Sequence, residues 1–378
     1  MSENYKIIDA DAHMLETLDM WDKYVEPPYK DRAPKVVGHW QRTLVDYGPG
    51  EVFPEGNYPT KRFEGTTFEV KGKYGHAYDS WWSIDSRLKD MDKEGYQIQV
   101  CFATNGLLPA MYPMKDPKLP AALARAYNNW CHDYCSPSSQ RVQWAAILSL
   151  ADVKEAVLEL RRAVTDLGAT TIMLRAEPIY VKVWHDPVLF PLWEEAERLD
   201  VSISFHTTGG SPLSHAGDRF LSGPKPLMAL DHAAAFPMEN MLAMGNFIFA
   251  GLLDKHPNLR LSFLEGNAGW VPFWLSRMDD HADGRQRDFM GSDTVDLKPS
   301  DYYRRQCFVA ADADEGGLKF VIEATGDDNI IFNSDYPHPD AAFPGVLDEF
   351  LEQPIPEESK RKILWDNSLR LYGDRINK

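Results

Sequence analysis

Cysteine is scarce in this chain. Four of 378 residues are cysteine (Cys101, Cys131, Cys135 and Cys307), and no two form a Cys-x-x-Cys pair. That rules out a dense disulfide framework and predicts reduced thiols in a cytoplasmic protein. Cys131 and Cys135 lie one helical turn apart, a spacing that suits packing. Positive charge is also short, with 40 Lys and Arg against 57 Asp and Glu and a net charge of −17. An acidic surface repels phosphate backbones and anionic membranes, so neither is an expected partner. A locally basic pocket stays open as an option. Long apolar runs are missing, which predicts no membrane span. The opening MSENYKIIDADAH has no basic n-region and no apolar h-region, which predicts no secretory signal.

What the chain does have is apolar bulk. Hydrophobic residues make up 44% and aromatics 12%, enough for a large core in one big domain or two average ones. No repeat, low-complexity tract or separating linker is visible, so residues 1–378 read as a single domain. Short β-branched or apolar runs alternate with amphipathic stretches. Eight runs read as strands: Tyr5–His13, Gln97–Thr104, Val142–Leu150, Thr170–Arg175, Val201–Thr207, Leu259–Glu265, Cys307–Ala311 and Ile330–Asp335. Several are apolar on both faces, as a parallel sheet covered by helices requires.

Helical spacing fills the gaps. Ile84, Leu88 and Met91 precede the second strand, and Leu123, Tyr127 and Trp130 precede the third. Asp152 with Glu155 forms a capping-box pattern before Val153, Val157, Leu160 and Val164. Asp186-Pro187 starts a further helix. The tail Pro356–Tyr372 reads as a closing helix. Eight βα units predict an α/β fold, a (β/α)8 TIM-type barrel, with a doubly wound open sheet as the alternative. A Pro-, Gly-, Tyr- and charge-rich stretch, residues 14–82, interrupts the pattern after strand one. It is too long for a plain βα loop and predicts an inserted lobe capping the active-site end. His215–Pro237 predicts a second insertion.

Four residues stand where barrel chemistry gathers. Asp11 and His13 end the first strand two positions apart, so both side chains project to one side. His206 ends the apolar run VSISFH, and Asp335 follows the buried run IIFNS. Singly, each has a plain alternative: a surface pair, a core histidine bonded to a carbonyl, a turn aspartate. Together they occupy the C-terminal ends of strands one, five and eight, which converge on one mouth. Two imidazoles and two carboxylates suit one divalent ion: zinc first, with manganese or iron(II) as alternatives. Arg175 at the fourth strand end would grip a substrate carboxylate or pair with Glu177 or Asp335. His338 would orient Asp335, bind substrate or lie on a surface turn. His232 would enter the pocket or sit on a helix surface. Glu16 would lie close behind His13 or face solvent.

The segments IIDADAHMLE, RAEP, SFHTTG, GLLDKHPNLRLSFLEGNAGWVPFWLSRMD and NSDYPHPD resemble the amidohydrolase superfamily. Within it they are most similar to the branch related to aminocarboxymuconate-semialdehyde decarboxylase. The resemblance covers nearly the whole chain. It implies a distorted TIM barrel with one metal ion on Asp11, His13, His206 and Asp335, and a homodimer. The strand-four end carries Arg175 in place of the lysine of the two-metal branches, which points to a single ion. The strand-six end carries Glu265 where characterised relatives commonly have histidine, so Glu265 is either a base or a buried supporting group.

The resemblance implies non-oxidative decarboxylation of a small, cyclic or aromatic carboxylate, with Asp335 or a water protonating the carbon that loses CO2. One alternative is hydrolysis of an amide, ester, lactone or C–C bond by a metal-bound water, whose pKa falls to about 7. Another is a non-catalytic ligand-binding barrel.

Overall fold

All eight strand segments form strands, and they pair in chain order. The computed structural model describes residues 5–17, 19–37, 44–46, 74–104, 114–207, 215–221, 225–284, 288–289, 295–338 and 341–377. The barrel strands are β1 (Ile8–His13), β2 (Ile98–Phe102), β3 (Val142–Ile147), β4 (Thr171–Leu174), β5 (Ser202–Phe205), β6 (Leu261–Phe263), β7 (Cys307–Ala311) and β8 (Ile330–Phe332). Each neighbouring pair is parallel, so the sheet runs β1 to β8 without a break in order. That order is the signature of a (β/α)8 barrel and excludes the doubly wound alternative, whose strand order reverses.

The ring closes just beyond β8. There the Asp335 amide donates to the Asp11 carbonyl (3.0 Å), and the His13 amide donates to the Tyr336 carbonyl (2.6 Å). Two of the residues read as metal ligands on β1 and one after β8 therefore sit on the closing seam.

The principal helices fall between the strands. They are α1 (Ile84–Glu94), α2 (Lys118–Cys135), α3 (Val153–Thr165), α4 (Phe190–Arg198), α5 (Met228–Phe249), α6 (Val271–Ala282), α7 (Pro299–Gln306) and α8 (Leu318–Thr325). Asp152 caps α3 by accepting from the amides of Lys154 (2.9 Å) and Glu155 (3.4 Å). The Glu155 side chain turns to Arg125 (3.8 Å), so the capping pattern works from its aspartate side. The closing helix is broken into Glu357–Arg361, a π turn at Lys362–Asp366, and Asn367–Tyr372.

Two boundaries differ from the sequence reading. The strand runs were extended to Thr104, Leu150, Glu265 and Asp335, but the ladders stop at Phe102, Ile147, Phe263 and Phe332. At two of these ends the chain turns left-handed, with φ of 48° at Glu265 and 54° at Asp335, which no ladder accommodates. The expected insertion to Pro237 also ends early, because α5 runs through Pro237. Packing of Phe236, Ala243, Met244 and Phe247 in the interior outweighs the helix-breaking tendency of the proline. Of the lobe expected at 14–82, a short helix (Met20–Tyr24), a 3-10 turn (Pro27–Arg32), a small antiparallel ribbon (Lys35–Val37 with Leu44–Asp46) and a helix (Gly75–Asp79) are described. Residues 38–43 and 47–73 lie outside the described residues. Among the described residues, no helix is long and apolar enough to cross a membrane.

Candidate metal centre

β1 carries acidic or imidazole side chains at Asp9, Asp11 and His13, all buried. Its register against β2 slips between Asp9 and Ala12, an irregularity of the kind that re-aims side chains beside functional sites. Asp11 and His13 still converge, with Asp11 Oδ1 lying 3.8 Å from His13 Nε2. β5 delivers His206 to the same point, its Nε2 3.7 Å from Asp11 Oδ1 and 3.2 Å from His13 Nε2. Asp335 Oδ1 approaches His13 Nε2 at 3.1 Å from across the seam. Glu265 Oε2 lies 3.2 Å from His206 Nε2 on another side.

The proton positions on the two imidazoles follow from their neighbours. His206 Nδ1 lies 3.0 Å from the Thr207 carbonyl, and His13 Nδ1 lies 3.3 Å from the Ala103 carbonyl. A carbonyl only accepts, so each Nδ1 donates and each neutral ring presents a bare Nε2. The two bare nitrogens face one another and face carboxylate oxygens. Asp11 Oδ1 is buried with no hydrogen-bond partner among the described residues. A set of converging acceptors without a donor is what a cation requires.

The electrostatics agree. Burial and then the neighbouring Asp335 charge push the Asp11 carboxyl well above its ordinary range. Burial, then His338, lowers His13 to about 4, and burial, then His13, holds His206 well below the ordinary imidazole range. Burial would raise Asp335, but His338 and His13 outweigh it and hold that carboxyl well below the usual range. Burial disfavours an uncompensated Asp11 carboxylate beside uncharged imidazoles, which marks a cluster short of positive charge. His13, His206 and Asp11 together, and His13, Asp335 and His338 together, are close enough to share an ion.

Secondary residues divide into two groups. His338 Nδ1 lies 2.8 Å from Asp335 Oδ1, and its Nε2 lies 3.1 Å from the Thr104 hydroxyl. His232 lines a cavity of about 570 Å³ together with Glu265 and Asp335. Arg175 does not join them. It pairs with Glu177 and lines a separate small cavity with Leu148, Leu174 and Trp184.

A supporting network escaped the sequence reading. Arg87, buried on α1, donates to the His13 carbonyl (2.5 Å) and to Gln99 (3.1 Å). Gln99 donates to Asp9 (2.8 Å), which also accepts the Ser334 amide (3.0 Å) and hydroxyl (2.5 Å). The network ties β1, β2 and the β8 end beneath the site. Glu16 accepts the Thr104 amide (3.0 Å), so it holds the turn that contacts His338. Asp9 had a readable signal, since it precedes Asp11 by the same two-residue step that separates Asp11 from His13.

The fold is shared with known proteins. The amidohydrolase family model matches residues 8–373. The 2-amino-3-carboxymuconate-6-semialdehyde decarboxylase of Dictyostelium discoideum is 27% identical over 313 residues, covering 82% of this chain and 82% of its own. The gamma-resorcylate decarboxylase of Rhodococcus jostii is 26% identical over 67% of this chain and 77% of its own. Among solved structures, a variant 5-carboxyvanillate decarboxylase of Novosphingobium aromaticivorans, holding manganese and 3-methoxy-4-hydroxy-5-nitrobenzoic acid, superposes with a TM-score of 0.72. It is 18% identical and covers 98% of this chain and 97% of its own. With a match that spans all eight barrel strands, the chain belongs to the amidohydrolase family.

Proposed function

We propose that this protein is a metal-dependent carboxy-lyase that removes CO2 from a small ring carboxylate. The observation that carries the metal is the pair of bare Nε2 atoms on His13 and His206, 3.2 Å apart and facing Asp11, Asp335 and Glu265. The decarboxylases among its relatives supply the reaction class. A divalent ion on Asp11, His13, His206 and Asp335 would hold the substrate carboxylate or a neighbouring oxygen and stabilise charge left in the ring. Zinc suits this donor set, and so does manganese, the ion found in the structural relative.

The chain's own groups divide the remaining work. As the bond to the carboxyl carbon breaks, CO2 leaves and its electron pair stays on the ring carbon. Asp335, held ionised between His13 and His338, would relay to that carbon a proton taken up from water through the His338 imidazole. His232 and Phe236, whose rings lie 4.4 Å apart, form a wall for a flat substrate. Arg175, engaged by Glu177, holds the β4 end.

The test is a CO2-release assay over hydroxy- and amino-substituted ring acids, with elemental analysis of the purified protein. About one divalent ion per chain is expected, together with CO2 release that falls about 10²–10⁴-fold in Asp335→Asn. Protein that is metal-free yet fully active overturns the reading.

A second reading is hydrolysis, motivated by Glu265 beside His206, where a carboxylate would activate water. Oxygen-18 from solvent appearing in the product would select it. The proposed assembly is a homodimer, checked by light scattering during gel filtration.

A further inference from the structure

Segment 74–82, just ahead of α1, holds a conformation that its own residues disfavour. Trp81 and Trp82 stand in succession at left-handed φ, 51° and 46°. That geometry is costly for bulky side chains and persists only where the surroundings fix it. Here they do. The Trp82 amide donates to the Ala77 carbonyl (2.7 Å), and the Trp82 carbonyl accepts the Tyr134 hydroxyl from α2 (2.7 Å). At the start of the segment Tyr74 is buried. Its ring is stacked on Phe343, with centroids 5.2 Å apart, and stands edge-on to Tyr336 at 5.6 Å.

Two polar side chains of this segment lead to one residue, His338. The Tyr74 hydroxyl donates to the His338 carbonyl (3.0 Å), which also accepts the Ala341 amide (3.3 Å). The indole Nε1 of Trp81 donates to the Glu16 carbonyl (3.2 Å). Glu16 in turn accepts the Thr104 amide (3.0 Å), and the Thr104 hydroxyl lies 3.1 Å from His338 Nε2. The first contact fixes the backbone of His338. The second, through Glu16 and Thr104, fixes its ring. On the other side of the ring, Nδ1 faces Asp335 Oδ1 (2.8 Å). A carboxylate accepts, so Nδ1 carries the proton, and in the neutral ring the Thr104 hydroxyl donates to Nε2. Both the tilt and the tautomer of His338 are thereby set.

We propose that segment 74–82 is a brace that positions His338, with Tyr74 and Trp81 as positioning residues acting through it. A group that passes a proton must be closely placed, and a misplacement of about 1 Å can cost about 10²-fold in rate. The strain at Trp81 and Trp82 is then what aims the indole at Glu16. The kinetic part of this inference rests on the decarboxylation reading. The placement of the ring does not, so the two can fail separately.

The experiment is nuclear magnetic resonance of the full-length, zinc-loaded protein labelled with nitrogen-15 at histidine, the His338 signals being assigned through His338→Gln. The variants are Tyr74→Phe, Trp81→Phe and the two combined, with Thr104→Val to remove the ring contact while segment 74–82 stays intact. Tyr24→Phe, which removes a hydroxyl bond to Asp133 (2.8 Å), is the control for losing a tyrosine hydroxyl elsewhere. Thermal melts confirm folding. In the wild type His338 is expected to carry its proton on Nδ1 alone. The double variant and Thr104→Val should show mixed tautomers, and Tyr24→Phe should not. In CO2 release, kcat should fall about ten-fold or more in the double variant with KM changed less than about two-fold. Mixed tautomers in the wild type, or His338 signals unchanged in the double variant, overturn the proposal. So do altered signals at unchanged kcat, which make the segment a structural support alone. Altered signals in a protein that releases CO2 from no acid leave the brace standing and remove the lyase reading. If the double variant does not fold, Tyr74→Phe, which keeps the ring packing, carries the same comparison.

Discussion

At the scale of single residues, the site depends on groups that never touch an ion. Ser334 is one. Its amide and hydroxyl both serve Asp9, and its hydroxyl also accepts the Tyr336 amide (3.1 Å), so it pins the backbone on either side of Asp335. Burial pushes the Asp9 carboxyl up to about 6 despite these bonds, which shows how much it needs its donors. Ser334→Ala should therefore lower stability by about 1–3 kcal/mol, read by urea unfolding. Manganese affinity should drop about 10–100-fold, the usual effect of losing an orienting partner behind a ligand. Unchanged affinity would mean that Asp335 is held by other contacts. Asp11, His13, His206 and Asp335 stood out in the sequence because each is a polar residue at the end of an apolar run, and Glu265 stood out only through the family resemblance. Arg87 and Gln99 were not, because their meaning lies in partners such as His13 and Asp9, 74 and 90 positions away.

Among the elements, the loop after β6 is the most constrained. Glu265 and Asn267 both take left-handed φ, 48° and 55°, a costly geometry for residues with side chains. A Cβ at Gly266 would lie 2.6 Å from Asn240 Nδ2, so the loop leans directly on α5. Glu315 holds its far side by accepting the Ala268 amide with both oxygens, at 3.1 and 3.0 Å. Burial pushes the Glu315 carboxyl up to about 7 from an ordinary 4.5. The folded protein therefore keeps a proton that the unfolded chain has released. The stability this gives is complete below about pH 4.5 and is lost as pH rises through about 7, with a slope of up to about 1.4 kcal/mol per pH unit. Glu315→Gln has no such proton. The stability of the wild type relative to this variant should fall between pH 5 and pH 7 in metal-saturated urea titrations, and parallel curves would refute the assignment. The sequence showed the strand before this loop but not its end, because a residue forced into left-handed φ by tertiary packing leaves no mark in hydrophobic periodicity.

For the whole molecule, strand order was readable because each barrel strand pairs with its neighbour in sequence and several of the intervening helices, such as α1, α2 and α3, keep a 3.6-residue apolar stripe. α5 was misjudged at its start because a proline is a local signal and its packing is not. An ion bound only by the folded barrel adds to its stability by mass action. At a free concentration one hundred times the dissociation constant this is about 2.7 kcal/mol. For a chain of this length that corresponds to a melting shift of only about 3 °C. Chelation should lower the midpoint by that order, and re-addition of manganese should restore it. The position of the cluster gives this modest figure a more local meaning. The amides of His13 and Asp335 are the ones that join the first strand to the last, and their own side chains are the proposed ligands. To a deuterium label, loading the ion and latching the cylinder are then a single event, and these two amides are where an empty enzyme would begin to come unbuttoned.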